Sequence, residues 1–197
     1  KTRARLLSAI PAPEGGTHVY LFDLHTDGIE FYLDDRVLSR HVYGAPIITA
    51  KIAEKMKGTP FVLGACDAGR AKWVQSLARD LHVEPAFVYK SRSDAGTSVT
   101  GINADVKGRE VVVYDDMIRT GSSLIQAGRA YLAAGATKVH AIASHLVLPN
   151  DALDKIRASG VFTTIMGTDS HPGCQKLPKE DIVSIAPRLV ECLAAAE

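Results

Sequence analysis

Val111-Val112-Val113-Tyr114-Asp115-Asp116-Met117-Ile118-Arg119-Thr120-Gly121-Ser122-Ser123 is the stretch on which the reading of this chain turns. An apolar β-branched run ends in two adjacent carboxylates. A short turn of Thr, Gly and Ser follows, and Leu124-Ile125-Gln126-Ala127-Gly128-Arg129-Ala130-Tyr131-Leu132 then has helical spacing. The order is strand, acidic pair, hydroxyl-rich loop, helix. A loop at a helix N-terminus offers unpaired N–H groups and the positive end of the helix dipole, so it suits a phosphate. Thr120, Ser122 and Ser123 add hydroxyl donors, and Gly121 lets the backbone come close. Asp115 and Asp116 would repel that phosphate. They are better placed to accept hydrogen bonds from sugar hydroxyls or to face a hydrated Mg²⁺. A phosphate at one end and carboxylates at the other fit a phosphorylated sugar.

Working outward, apolar runs alternate with helical patterns. Strands are expected at His18–Leu24, Pro60–Ala65, Ala86–Tyr89, Glu110–Tyr114, Lys138–Ser144 and Phe162–Met166. Helices are expected at Ile47–Lys57, Ala71–Leu81, Ser122–Ala134, Asn150–Ala158 and Pro187–Ala195. In the second of these, Val74, Leu77, Ala78 and Leu81 share one face. Strands separated by helices pair in parallel through right-handed crossovers. The predicted class is therefore α/β, a parallel twisted sheet flanked by helices. In such sheets ligands gather beyond the carboxyl ends of the strands. Polar residues do follow the strands: Asp23 and His25, Asp67, Lys90 and Arg92, Asp115 and Asp116, and His145. Ser91–Thr100 is rich in Ser, Gly, Asp and Thr and reads as a mobile loop.

Composition narrows the partners. The 197 residues are 46% hydrophobic and 23% charged, with a formal net charge of +1, enough for a sizeable core. Near-neutral charge and few aromatics argue against nucleic acid or a membrane surface as partner. The three cysteines, Cys66, Cys174 and Cys192, lack metal spacing and suggest a reducing, cytoplasmic compartment. No apolar run reaches transmembrane length and no signal peptide is visible. With Lys1 in first place, the chain reads as a fragment or a trimmed protein.

The stretch from Val111 to Ser123 resembles the phosphoribosyl pyrophosphate (PRPP) signature of type I phosphoribosyltransferases and PRPP synthetases. Further elements resemble those of the ribose-phosphate diphosphokinase (PRPP synthetase) family, in that family's order. Asp23-Leu24-His25 is similar to its Asp-Leu-His element, and Asp67-Ala68-Gly69-Arg70 to its Asp-Ala-Gly-Gly element. Tyr89-Lys90-Ser91-Arg92 resembles its Lys-Arg-Arg element. Asp105-Val106-Lys107-Gly108-Arg109 resembles its lead-in to the signature, Ser144-His145-Leu146 its Thr-His-Gly, and Val183–Leu193 its closing strand and helix. Two departures stand out: Arg119 replaces an acidic residue, and Leu146 replaces a Gly and narrows that corner of the site.

The resemblance implies a type I phosphoribosyltransferase-like fold with part of a second similar domain. Its parts would be a remnant of an N-terminal domain at 1–45, the PRPP-binding domain at 46–182, and a strand and helix at 183–197 packing back on the first. It implies Mg²⁺-dependent transfer of the diphosphoryl group of ATP to ribose 5-phosphate, giving PRPP and AMP in a homo-oligomer. Asp115 and Asp116 would bind the ribose 2- and 3-hydroxyls, with Arg119, Thr120, Gly121, Ser122 and Ser123 around the 5-phosphate. Lys90 and Arg92 would clamp the transferring group; two apart on an extended segment, they point to one side. His25 would touch the ATP phosphates or a Mg²⁺-linked water. Asp67 would hold Mg²⁺, cap the following helix, or both. His145 suits either ligand contact or a hydrogen bond that supports Asp115 or Asp116. Two alternatives remain open: a type I phosphoribosyltransferase using PRPP and a nucleobase, and a non-catalytic synthetase-like regulatory subunit.

Overall fold

The apolar runs become strands because each is short, rich in Val and Ile, and bounded by turn residues. In the computed structural model, residues 1–11, 14, 16–93 and 96–195 are described, without the side chains of 27, 68, 90–93 and 96–100. The helices are α1 (Thr2–Ser8), α2 (Ala45–Lys55), α3 (Ala71–Asp80), α4 (Ser122–Ala133), α5 (Ala152–Ala158) and α6 (Ala186–Ala194). The strands are β1 (Thr17–Phe22), β2 (Val37–Val42), β3 (Phe61–Ala65), β4 (Pro85–Ala86), β5 (Val88–Ser93), β6 (Gly96–Ile102), β7 (Glu110–Ile118), β8 (Lys138–Leu146), β9 (Phe162–Thr168) and β10 (Ile182–Val183). The chain divides into two compact units, Lys1–Gly44 with Ala186–Glu197, and Ala45–Ile185.

In the larger unit a six-stranded sheet runs in the order β10-β9-β8-β7-β3-β4, and every pairing in it is parallel. Strand alternation divides the core between the two faces. Val111, Val113, Val139, Ala141 and Ala143 join one apolar layer with Leu124, Ala127 and Tyr131 of α4. Val112, Tyr114 and Ile142 join the other with Ile48 and Ile52 of α2 and Val74 and Leu77 of α3. Burial on both faces is why these strands read as continuous apolar runs. Glu110, Lys138 and His140 close the opposite end of the sheet: Lys138 Nζ lies 2.8 Å from Glu110 Oε1, and His140 Nε2 lies 2.9 Å from Glu110 Oε2.

In the smaller unit β1 and β2 pair in parallel, from Thr17 opposite Val37 to Phe22 opposite Val42. A 3-10 segment, Asp27–Tyr32, lies in their crossover. Helix α6 also belongs to this unit; Arg188 Nε donates to Tyr43 O at 3.1 Å. Strand β10 pairs with β9 in the larger unit.

Several expectations need correction. The strand carrying the acidic pair does not stop at Tyr114; it continues to Ile118, because β8 continues beside it, pairing Asp115 with Ala143 and Met117 with His145. Ser91–Thr100 is not an open loop: β5 and β6 pair antiparallel, Arg92 opposite Thr97 and Ser93 opposite Gly96. Residues 94 and 95 lie outside those described. Leu146 does not narrow the site; it is fully buried and packs against Gly167, where a Cβ would stand 2.6 Å from Leu146 Cγ. Helix α1 and strand β2 had no clear sequence signal, since β2 alternates half-buried and exposed residues.

Tyr131 ties this frame together. Fully buried, it presents its hydroxyl to Ala65 O at 3.1 Å and Ala86 O at 3.0 Å, joining α4 to the ends of β3 and β4. A Cβ on Gly64 would fall 2.9 Å from the Tyr131 hydroxyl oxygen, so glycine is required beneath it. We expect Tyr131→Phe to keep the packing but leave those carbonyls without this donor, lowering urea-unfolding stability by about 1–3 kcal/mol. An unchanged midpoint would contradict that role.

Candidate functional site

The acidic pair sits at the end of β7 and is unequally buried. Asp116 is 5% exposed, whereas Asp115 is half-buried. This follows the strand alternation, which also leaves Met117 half-buried and turns Ile118 inward. Asp115 Oδ1 accepts the Asp116 N–H at 3.0 Å. Asp116 Oδ2 lies 2.6 Å from Arg70 Nη2, in a salt bridge whose side chains are 22% and 7% exposed, Arg70 first. Sequence reasoning missed Arg70 as a site residue. Its only signal was a basic side chain five residues after strand β3, and spacing does not say which carboxylate such a side chain will meet.

Burial pushes the Asp115 carboxyl up to about 7; the Asp116 carboxylate, by hydrogen bond and by charge, and the charge of Asp67 push the same way, while a hydrogen bond with Cys66 opposes them. Cys66 itself is buried and outside any disulfide.

Asp67 follows β3 and is exposed. Its Oδ1 accepts the Gly69 N–H at 2.9 Å, closing the turn into the 3-10 segment Ala68–Arg70. The N-cap of α3 itself is Arg70, without a side-chain cap bond. Asp67 therefore closes the turn and does not cap the helix, the structural role expected of it. Among the described residues no three His, Cys, Asp or Glu side chains form a metal-binding group. Mg²⁺ needs only one or two carboxylates when substrate oxygens and water complete its shell, so one exposed carboxylate fits it.

The loop after β7 is built as its sequence suggests. Gly121 is the N-cap of α4 at φ +77, with no side-chain cap bond to the first turn. A Cβ there would lie 2.3 Å from Ile156 Cγ1, so both conformation and space demand glycine. Arg119, Thr120, Ser122 and Ser123 are exposed around it, and the Thr120 and Ser122 hydroxyls lie 3.3 Å apart. Open first-turn N–H groups beside hydroxyls can hold a phosphate.

Behind the pair lies a hydroxyl network. Tyr114 OH lies 3.0 Å from Ser144 Oγ. Ser144 O accepts from Thr168 Oγ1 at 2.6 Å and from Ser170 Oγ at 2.9 Å. Ser170 has one proton and spends it there, so the 2.7 Å contact with His145 Nδ1 has the imidazole N–H donating. His145 is thus fixed by the Thr168–Ser170 turn, a partner that the sequence did not reveal.

His25 lies in the smaller unit and is exposed, two residues after Asp23. Asp23 adopts φ +38 and accepts the Gly44 N–H at 2.8 Å, while His41 Nε2 accepts the Leu24 N–H at 3.2 Å. The backbone at Lys90 and Arg92 belongs to β5; their side chains lie outside those described.

The phosphoribosyl transferase domain family matches residues 45–170, beginning where the larger unit begins, and the chain belongs to that family. It is 33% identical over 197 residues to a ribose-phosphate pyrophosphokinase of Streptomyces avermitilis, covering 96% of this chain and 59% of that protein. It is 30% identical over 194 residues to a ribose-phosphate pyrophosphokinase of Gloeobacter violaceus, covering 96% and 57%. The crystal structure of phosphoribosylpyrophosphate synthetase from Mycobacterium smegmatis has a TM-score of 0.81 to it at 29% identity, covering all of this chain and 64% of that one. The chain therefore spans less than two thirds of these relatives' length.

The Asp115 environment has a pH consequence. An unfolded Asp titrates near 3.9, below the native value of about 7. The native state then binds the proton more tightly, so this group's contribution to stability falls between about pH 4 and 7 and levels off above. Asp115→Asn should therefore raise Tm at pH 8, with a smaller gain at pH 5. A Tm difference independent of pH would contradict the assignment.

Proposed function

We propose that this chain is the PRPP-forming part of a Mg²⁺-dependent ribose-phosphate diphosphokinase. The observation that carries the proposal is the juxtaposition at the end of β7: a carboxylate pair, then a glycine-capped hydroxyl loop opening α4. Similarity along almost the whole chain to ribose-phosphate pyrophosphokinases supports it.

In this reading ribose 5-phosphate lies across the loop. Its 5-phosphate takes the open N–H groups of the α4 first turn with the hydroxyls of Thr120, Ser122 and Ser123, and Arg119 adds charge from the rim. The acidic pair receives the ribose hydroxyls; an ionised Asp115 accepts from them better than a protonated one. The 1-hydroxyl oxygen attacks the β-phosphorus of ATP. The bond from that phosphorus to the α,β-bridging oxygen breaks, AMP leaves with that oxygen, and the hydroxyl proton passes to solvent or a nearby base. Phosphoryl transfer of this kind depends on alignment and charge neutralisation. Lys90 and Arg92 supply that neutralisation on the transferring group. His25 serves the ATP phosphates or a Mg²⁺-bound water, because Mg²⁺ takes oxygen ligands itself. Asp67 would hold Mg²⁺, whose charge would neutralise phosphoryl oxygens.

The full natural chain, given ATP, Mg²⁺ and ribose 5-phosphate, should form AMP and PRPP in equal amounts. AMP without PRPP would refute the transfer. Binding of ribose 5-phosphate with no turnover would instead favour a regulatory homologue. Lys90→Ala should lower kcat by at least about a hundredfold, on the scale of one lost transition-state contact, and leave ribose 5-phosphate affinity nearly unchanged. Equal loss of both would remove Lys90 from the transferring group.

A further inference from the structure

Arg70 stands where one would look for a metal ion. Strand β3 and the turn Ala68–Arg70 deliver its guanidinium to the end of β7, where Nη2 lies 2.6 Å from Asp116 Oδ2. Asp115 adjoins the bridge, its Oδ1 accepting the Asp116 N–H at 3.0 Å, and the two neighbouring carboxylates repel each other. Such a pair needs a counter-charge, and the guanidinium is a permanent one. Both side chains of the bridge are largely withdrawn from water, so it is screened less than a surface pair. A divalent ion facing the same two carboxylates would be repelled by Arg70 at close range.

We infer that Arg70 is the resident counter-cation of the Asp115–Asp116 pair, so that the pair takes a sugar diol without a divalent ion. Asp116 is then a positioning residue held by Arg70, and Asp115, the more open of the two, meets the sugar. This rests on the sugar-phosphate reading above and deepens it: ribose 5-phosphate binds free of metal, and Mg²⁺ enters with the ATP phosphates on the Asp67 side.

The first test uses Mg²⁺ alone, with Tm read at pH 8 and ionic strength matched by NaCl. The full natural protein and Arg70→Lys should show no Tm rise in millimolar MgCl₂. Arg70→Gln, which keeps polarity and loses charge, should gain several degrees, and Arg70→Gln with Asp116→Asn should lose that gain. The double variant places the ion at the pair rather than at Asp67. A merely structural Arg70 would lower Tm in Arg70→Gln without creating a Mg²⁺ response, and that result would overturn the inference.

The second test is calorimetric titration with ribose 5-phosphate, with Mg²⁺ or with EDTA. The unsubstituted protein should bind equally in both. Arg70→Gln should bind at least about tenfold more weakly in EDTA, the scale of one charge-assisted contact, and recover in Mg²⁺. Metal-dependent binding by the unsubstituted protein would also overturn the inference. If ribose 5-phosphate binds in neither medium, the sugar-phosphate reading fails, and the Tm series with Mg²⁺ alone still decides the role of Arg70.

Discussion

The pairing of β7 on both edges and its burial on both faces is the constraint from which the rest of the larger unit follows. Val111, Val112 and Val113 are fully buried and Tyr114 is 1% exposed. Strand β3 holds one edge as far as Tyr114, and β8 holds the other as far as Ile118. A strand so enclosed cannot shift register without breaking the ladders on both edges and forcing Tyr114 into a place packed for valine. The acidic pair at its far end inherits that rigidity. Functional groups carried by a packed strand are placed more accurately than groups on a loop, which suits a ligand that must be aligned for in-line transfer.

Rigidity carries an electrostatic cost. Holding Asp115 and Asp116 together where water is partly excluded disfavours two full negative charges. The structure meets this in two ways: Arg70 balances Asp116, and Asp115 keeps a proton more readily than an ordinary carboxyl. The pair therefore carries about one unbalanced charge or less near neutrality, by the linkage between burial and protonation. The hydroxyl network from Tyr114 to Ser170 behind it is neutral throughout, so it orders the strand ends without adding charge.

The sheet and the glycine-capped loop into α4 were legible in the sequence because each depends on local pattern. Apolar runs of strand length, helices with a single apolar face, and Thr120-Gly121-Ser122-Ser123 at a helix start are written within a few residues of one another. What could not be read depended on distant partners. Strand β7 outlasts its apolar run because β8 lies alongside. The Ser- and Gly-rich segment forms a hairpin because its two arms pair with each other, which composition does not foretell. Arg70 meets Asp116 through the β3–β7 pairing, 46 positions of chain closed by the sheet. Leu146 looked like an obstruction at the site because its strand end is polar on either side, and only Gly167 on the next strand shows where its side chain goes.

The two arginines that distinguish this loop region divide its chemistry. Arg119 is exposed on the loop between β7 and α4, next to first-turn N–H groups already favourable to an anion, so it strengthens an existing preference. Arg70 is drawn inward to a carboxylate, so most of its charge is spent within the protein. One arginine thus makes the loop more positive, and the other makes the strand end less negative. A ligand with a phosphate at one end and neutral hydroxyls at the other would find both changes acting in the same direction.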